Sequence, residues 1–186
     1  HYPLRRQRQM CIRDSRYGLS VAELAAWHRP RLDILAAAGP DVLALETIPD
    51  IDEAQALVEL VRGQGIPAWL SYTIDGDATR AGQPLDEAFA VAADVPEIVA
   101  VGVNCCAPAD VLGAVTTARR VTGKPVIVYP NSGEVWDGAN RVWVGTSGMD
   151  TVLARSWVDA GARIVGGCCR VRPADITAMA AAVGAR

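Results

Sequence analysis

The stretch Ile98-Val99-Ala100-Val101-Gly102-Val103-Asn104-Cys105-Cys106-Ala107-Pro108 decides the fold. Its first six residues form a short apolar run rich in valine and isoleucine, which reads as a strand buried on both faces. The run stops at Asn104-Cys105, and Pro108 then suits the first turn of a helix, where a missing N–H costs nothing. That helix closes near Gly123. A strand, a joint carrying polar or sulfur side chains, and a helix make up the unit with which the rest of the chain is read.

Toward the C-terminus the unit recurs twice. A strand over 126–129 ends at Pro130-Asn131-Ser132-Gly133, and a long loop over 134–148 carries Trp136 and Trp143. A helix over 150–160 follows. A strand over 163–165 then runs into Gly166-Gly167-Cys168-Cys169, and Pro173 opens the last helix. Toward the N-terminus, Ser20 with Glu23 forms a capping box for a helix through Trp27 and Leu35 that stops near Gly39-Pro40. Pro30 predicts a kink or a break inside it. A strand over 41–45 ends at Glu46, and Asp50 with Glu53 gives a second capping signature. Ile51, Ala54, Leu57, Val58 and Val61 then keep helical spacing. A strand over 68–73, a polar loop over 75–83 and a helix opened by Pro84 complete the series.

Strand and helix in regular alternation argue a parallel sheet with right-handed crossovers. Two architectures compete, an open doubly wound sheet and part of an eight-stranded barrel. No Gly-x-Gly-x-x-Gly fingerprint follows a first strand, which weakens the dinucleotide-binding version. Glu46, Thr73, Cys105, Asn131, Cys168 and Cys169 all fall just past strand ends. Parallel barrels build their active sites on that face. A closed barrel needs eight units and roughly 250 residues, so the expectation is a partial TIM (β/α)8 barrel: the last five βα units, with the N-terminal strands missing. Residues 17–186 form this domain. Residues 1–16, with five arginines and one acid, read as a disordered or non-native lead-in, and Cys11 is set aside with them.

Composition narrows the function. The chain of 186 residues is 51% hydrophobic and 21% charged, which is globular. A net charge of −3 argues against general nucleic-acid binding. No apolar run approaches the roughly 18 residues a membrane helix needs, and no secretory leader is visible. Five cysteines, four of them in adjacent pairs, make a poor disulfide framework. Reduced thiols in the cytoplasm, used for metal binding or catalysis, fit better. Cys105 and the Cys168-Cys169 pair follow strands at one sheet face. A catalytic zinc takes three protein ligands and keeps one open position, a set that three thiolates from two strand ends can supply. Gly166-Gly167 is expected to let the backbone turn sharply, so that two consecutive side chains face one ion. Buried structural cysteines are the plainer alternative. Phosphate binding at Gly166-Gly167 is another, although paired cysteines do not suit it.

The segments Gly102-Val103-Asn104-Cys105 and Gly166-Gly167-Cys168-Cys169 resemble the zinc signatures of the homocysteine S-methyltransferase family. Leu45-Glu46-Thr47-Ile48-Pro49 and Val128-Tyr129-Pro130-Asn131-Ser132-Gly133-Glu134 resemble further motifs of that family, in the same order. The resemblance extends from Tyr17 to the C-terminus and is closest to the small, cobalamin-independent members. It implies a (β/α)8 barrel, Zn2+ held by Cys105, Cys168 and Cys169, and Glu46 on the homocysteine ammonium group. Asn131 and Tyr129 would line the substrate site. The partners implied are homocysteine and a sulfonium donor, S-methylmethionine or S-adenosylmethionine. Cys106 stands where the family leads one to expect a non-ligand, and whether it or Cys105 is the first ligand stays open. The family's Asp-Gly-Ala strand is absent, so a fragment inactive by itself, or a zinc that only staples the sheet, is also consistent with the sequence. His28 has no assigned chemistry. Trp136 and Trp143 read either as a lid or as packing for their loop.

Overall fold

The structure, a computed structural model, describes residues 17–146 and 150–184. The lead-in over 1–16, Cys11 included, lies outside the described residues. Five strands form the main sheet: β1 (Leu43–Ile48), β2 (Ala68–Tyr72), β5 (Ile98–Asn104), β6 (Val126–Tyr129) and β9 (Ala162–Val165). All neighbouring pairs are parallel, and the spatial order β1-β2-β5-β6-β9 is the order of the chain. A doubly wound sheet reverses its direction at a switch point; this sheet never reverses.

Helices α1 (Val21–Ala37), α2 (Ile51–Val61), α3 (Leu85–Ala90), α4 (Val111–Thr122), α5 (Thr151–Ala160) and α6 (Pro173–Val183) alternate with the strands. Right-handed crossovers that step one way across a sheet lay their helices on one face. Accordingly each helix packs on the next, from α1 on α2 to α5 on α6. The core lies between. Strand residues Leu45, Leu70, Tyr72, Val101, Val103, Val126 and Val128 meet Val61, Phe89, Val115 and Trp157 from the helices. Each of these strand side chains points to the helical face because alternate residues share a side. The intervening residues, Glu46, Trp69, Ser71, Gly102, Asn104, Ile127 and Tyr129, occupy the opposite face. That second face is only partly covered, and Ile164 on it is 48% exposed.

Local expectations hold with informative exceptions. Ser20 and Glu23 close the capping box as read. Helix α1 passes through Pro30 without a break. Asp50 caps α2 by accepting from the Asp52 N–H at 3.0 Å, but Glu53 does not complete a second box. Its carboxylate turns inward and lies 2.8 Å from Nε2 of the buried His28, which thereby tethers α1 to α2. The polar loop read over 75–83 holds the two-residue strand β4 (Ala78–Thr79), and β3 (Ile74–Asp75) runs into its start. The long loop after β6 contains an antiparallel ribbon, β7 (Val135–Asp137) and β8 (Val142–Val144). Trp136 and Trp143 oppose each other across it with ring centroids 5.5 Å apart. They therefore pack the ribbon against itself, although Trp136 stays 39% exposed.

Candidate metal centre

The thiols of Cys105, Cys168 and Cys169 converge where β5 and β9 end, their sulfur atoms all within 4.8 Å of one another. Among the described residues this is the one group of three such side chains that could hold an ion. Cys168 and Cys169 Sγ are 3.9 Å apart. Two thiolates on one tetrahedral zinc, with Zn–S near 2.3 Å, would stand about 3.8 Å apart. Cys105 and Cys168, with Cα atoms 5.6 Å apart, are joined sulfur to sulfur. Once reduced, the same pair is free to serve an ion. The donor set is thus chemically suited to zinc, and it leaves a fourth position without a protein sulfur.

The backbone reaches this arrangement through strain at specific residues. Period-two alternation would turn Cys105 toward the helices, beside Val101 and Val103. Instead Cys105 adopts φ +51°, a conformation few residues other than glycine accept. The following thiol, Cys106, is the one that enters the core, fully buried. Burial pushes its pKa up to about 12. Neutral below that pH, Cys106 is no thiolate in the physiological range. Peptide mapping after alkylation of the reduced chain at pH 8 should find Cys105, Cys168 and Cys169 modified and Cys106 spared. As the raised value implies, folded-state stability should also fall as pH climbs from the ordinary thiol range toward 12, because only the unfolded chain can then ionise Cys106.

The glycines before Cys168 act differently from expectation. Neither Gly166 nor Gly167 has a positive φ; the left-handed residue is Arg170, at φ +68°. Gly167 is small because a Cβ there would overlap the Val171 side chain. Three main-chain amides of this turn are already satisfied. Gly166 donates to the Val128 carbonyl at 2.8 Å, Cys168 to the Pro130 carbonyl at 2.8 Å and Cys169 to Asn131 Oδ1 at 3.1 Å. A phosphate would find those donors occupied, which weighs against the phosphate-turn alternative.

Glu46 and Tyr129 come together at the same end of the sheet. The Tyr129 hydroxyl donates to Glu46 Oε2 at 2.9 Å and accepts from Trp69 Nε1 at 3.2 Å. Burial pushes that hydroxyl up to about 12, so it stays a donor at neutral pH. The Tyr129 carbonyl accepts from the Cys105 N–H at 3.3 Å. One residue therefore touches both the acid and the thiol-bearing turn. Asn131 braces the Cys168-Cys169 turn through its side chain, whose Oδ1 accepts from the Cys169 N–H.

Sequence reasoning left out the buried amide that links β1, β2 and β5. Asn104 Oδ1 accepts from the Thr47 N–H at 2.9 Å and the Ser71 hydroxyl at 2.7 Å. Its Nδ2 donates to Thr47 Oγ1 at 2.7 Å. Thr47 itself has φ +60°, unusual for a β-branched residue. These bonds hold it there and so fix Glu46 beside it. A polar residue at the end of an apolar strand was the available signal.

A parallel α/β sheet with a thiol cluster and an acid at its strand ends has the layout of a barrel-type enzyme site. The family model for homocysteine S-methyltransferases matches residues 7–183, and the chain belongs to that family. Homocysteine S-methyltransferase 4 of Zea mays is 46% identical over 90% of this chain. The Escherichia coli homocysteine S-methyltransferase is 41% identical over 89% of it. The chain spans about half the length of such relatives, 52% and 55% respectively. Among solved structures, the metallated form of the Escherichia coli homocysteine methyltransferase MmuM aligns with a TM-score of 0.79 at 36% identity. That alignment covers 97% of this chain and 58% of that one. No described helix is long and apolar enough to cross a membrane.

Proposed function

We propose that this chain is the zinc-thiolate part of a cytoplasmic homocysteine S-methyltransferase. In this reading residues 17–186 contribute five consecutive units of a (β/α)8 barrel. The carrying observation is the convergence of three thiols from two strand ends within 4.8 Å. The unreversed strand order and the partly covered second sheet face support the barrel, whose interior that face would line.

Cys105, Cys168 and Cys169 would hold the zinc. A zinc held there would supply Lewis acidity that lowers the pKa of a coordinated homocysteine thiol, so that the sulfur is an ionised nucleophile at neutral pH. Glu46 would fix the homocysteine ammonium group. A carboxylate that has accepted one hydrogen bond, here from Tyr129, still has lone pairs for another donor. Tyr129 and Asn131 would set the position of acid and turn from the substrate side. The methyl carbon would pass from the sulfonium sulfur of S-methylmethionine or S-adenosylmethionine to the acceptor sulfur. The donor sulfur keeps the electron pair of the broken bond and leaves as a neutral thioether. The acceptor's proton goes to solvent. Alignment of the two sulfurs is the chief contribution left to the protein, worth up to several kcal/mol.

Metal analysis of the purified, reduced chain together with a thiol-methylation assay tests this. One zinc per chain with methionine formed, by the chain alone or after adding a fragment with the remaining barrel units, supports the enzyme. Zinc without turnover in both cases supports a structural staple, and absence of zinc overturns the proposal.

A further inference from the structure

The geometry points to Glu134 and Arg170 as a clamp that positions the Cys168-Cys169 turn for metal capture. The inference deepens the zinc reading of this site and rests on it. Arg170 follows the cysteine pair directly, and Glu134 ends the strand-end segment that begins at Pro130. The two side chains pair in fork geometry: Arg170 Nε donates to Glu134 Oε2 at 3.0 Å, and its terminal nitrogen donates to Oε1 at 2.9 Å. The Ser132 hydroxyl also donates to Oε2, at 2.9 Å. Between the ends of this clamp the main chains are laced together. The Ser132 N–H donates to the Cys169 carbonyl at 3.0 Å, and the Cys169 N–H donates to Asn131 Oδ1 at 3.1 Å.

Main-chain bonds hold the near side of the turn: the Cys168 N–H donates to the Pro130 carbonyl at 2.8 Å and the Val171 N–H to the Cys168 carbonyl at 3.3 Å. Cys169 and Arg170 are exposed, and α6 does not begin until Pro173. Arg170 also sits at φ +68°, a conformation that needs external support in a residue with a side chain. A bidentate arginine–carboxylate pair supplies direction as well as attraction. Arg170 and Ser132 hold the Glu134 carboxyl below the usual carboxylate range, so both partners are charged at neutral pH. Groups behind metal ligands commonly set ligand orientation in this way.

The test compares the parent chain with E134Q, R170K and the reversed pair E134R/R170E. Zinc affinity is measured by chelator competition, and amide hydrogen exchange is measured at Cys169 and across β5. For E134Q the clamp predicts a 10- to 100-fold loss of zinc affinity. It also predicts exchange at Cys169 faster by about five- to tenfold, the worth of one hydrogen bond, with β5 protection and thermal midpoint unchanged. R170K keeps the charge without the fork and should lose most of the affinity; the reversed pair should recover much of it. Unchanged affinity and Cys169 exchange in E134Q would overturn the clamp. So would a loss of protection spread over β5, which marks a general stability role. A parent chain that takes up no zinc refutes the metal reading instead, and Cys169 exchange then decides the clamp alone.

Discussion

Replacing Cys168 by serine is expected to lower zinc affinity roughly a hundred- to a thousandfold while leaving the fold intact. The binding free energy of a structural zinc, about 10–16 kcal/mol shared over four ligands, amounts to about 2.5–4 kcal/mol for each. Cys168 is the sulfur nearest both of the others, in contact with Cys105 and 3.9 Å from Cys169. Its loss leaves two thiols that no third sulfur connects. The side chain is only partly buried and takes no part in the apolar core, so the thermal midpoint of the reduced, metal-free chain should hardly move. Cys106→Ser gives the contrast. It buries a hydroxyl among Val103, Val111 and their neighbours and should cost about 1–3 kcal/mol of stability, without weakening the metal. Equilibrium zinc competition and thermal unfolding of the two variants separate these effects.

The second large effect concerns Gly102. A Cβ at this position would overlap the main-chain carbonyl of Ile127 on the adjacent strand. Gly102 pairs with Ile127 in the middle of β5 and β6, and a parallel ladder cannot widen there without losing bonds on both sides. Overpacking by a flexible neighbour typically costs about 1–3 kcal/mol; backbone cannot yield in that way, so Gly102→Ala should lose more than about 3 kcal/mol. Failure to fold at 37 °C or a collapsed denaturant midpoint would register it. A variant with wild-type stability would show that β5 and β6 lie further apart than described. The same residue bears on the site, because Asn104 and Cys105 follow it at the end of β5.

Much of this architecture was legible in residue order. Short apolar runs closed by Pro or Gly placed the strands and helices of the main sheet. The placement of Cys105, Cys168 and Cys169 past strand ends anticipated their meeting. What periodicity missed came from residues that break it. Alternation assigns Cys105 to the core and Cys106 to the site; a left-handed φ at Cys105 reverses them, and a non-glycine residue gives no local sign of it. Gly166 and Gly167 suggested a sharp turn, whereas the turn is made by Arg170 and Gly167 answers the need for close approach to Val171. Glu53 satisfied a local capping pattern but found a stronger partner in His28, distant in sequence. The β7–β8 ribbon turns directly after Asp137-Gly138, a hairpin signal that reading 134–148 as one long loop passed over. Glu134 and Arg170, 36 residues apart, meet only because β6 and β9 are neighbours.

X-ray absorption at the zinc edge of the reduced, zinc-loaded chain counts the sulfur ligands. Three sulfur neighbours at about 2.3 Å and one lighter atom are expected, falling to two sulfurs in Cys105→Ser. A coordination shell of nitrogen and oxygen alone, or a sulfur count that the substitution leaves unaltered, would contradict a three-thiolate site.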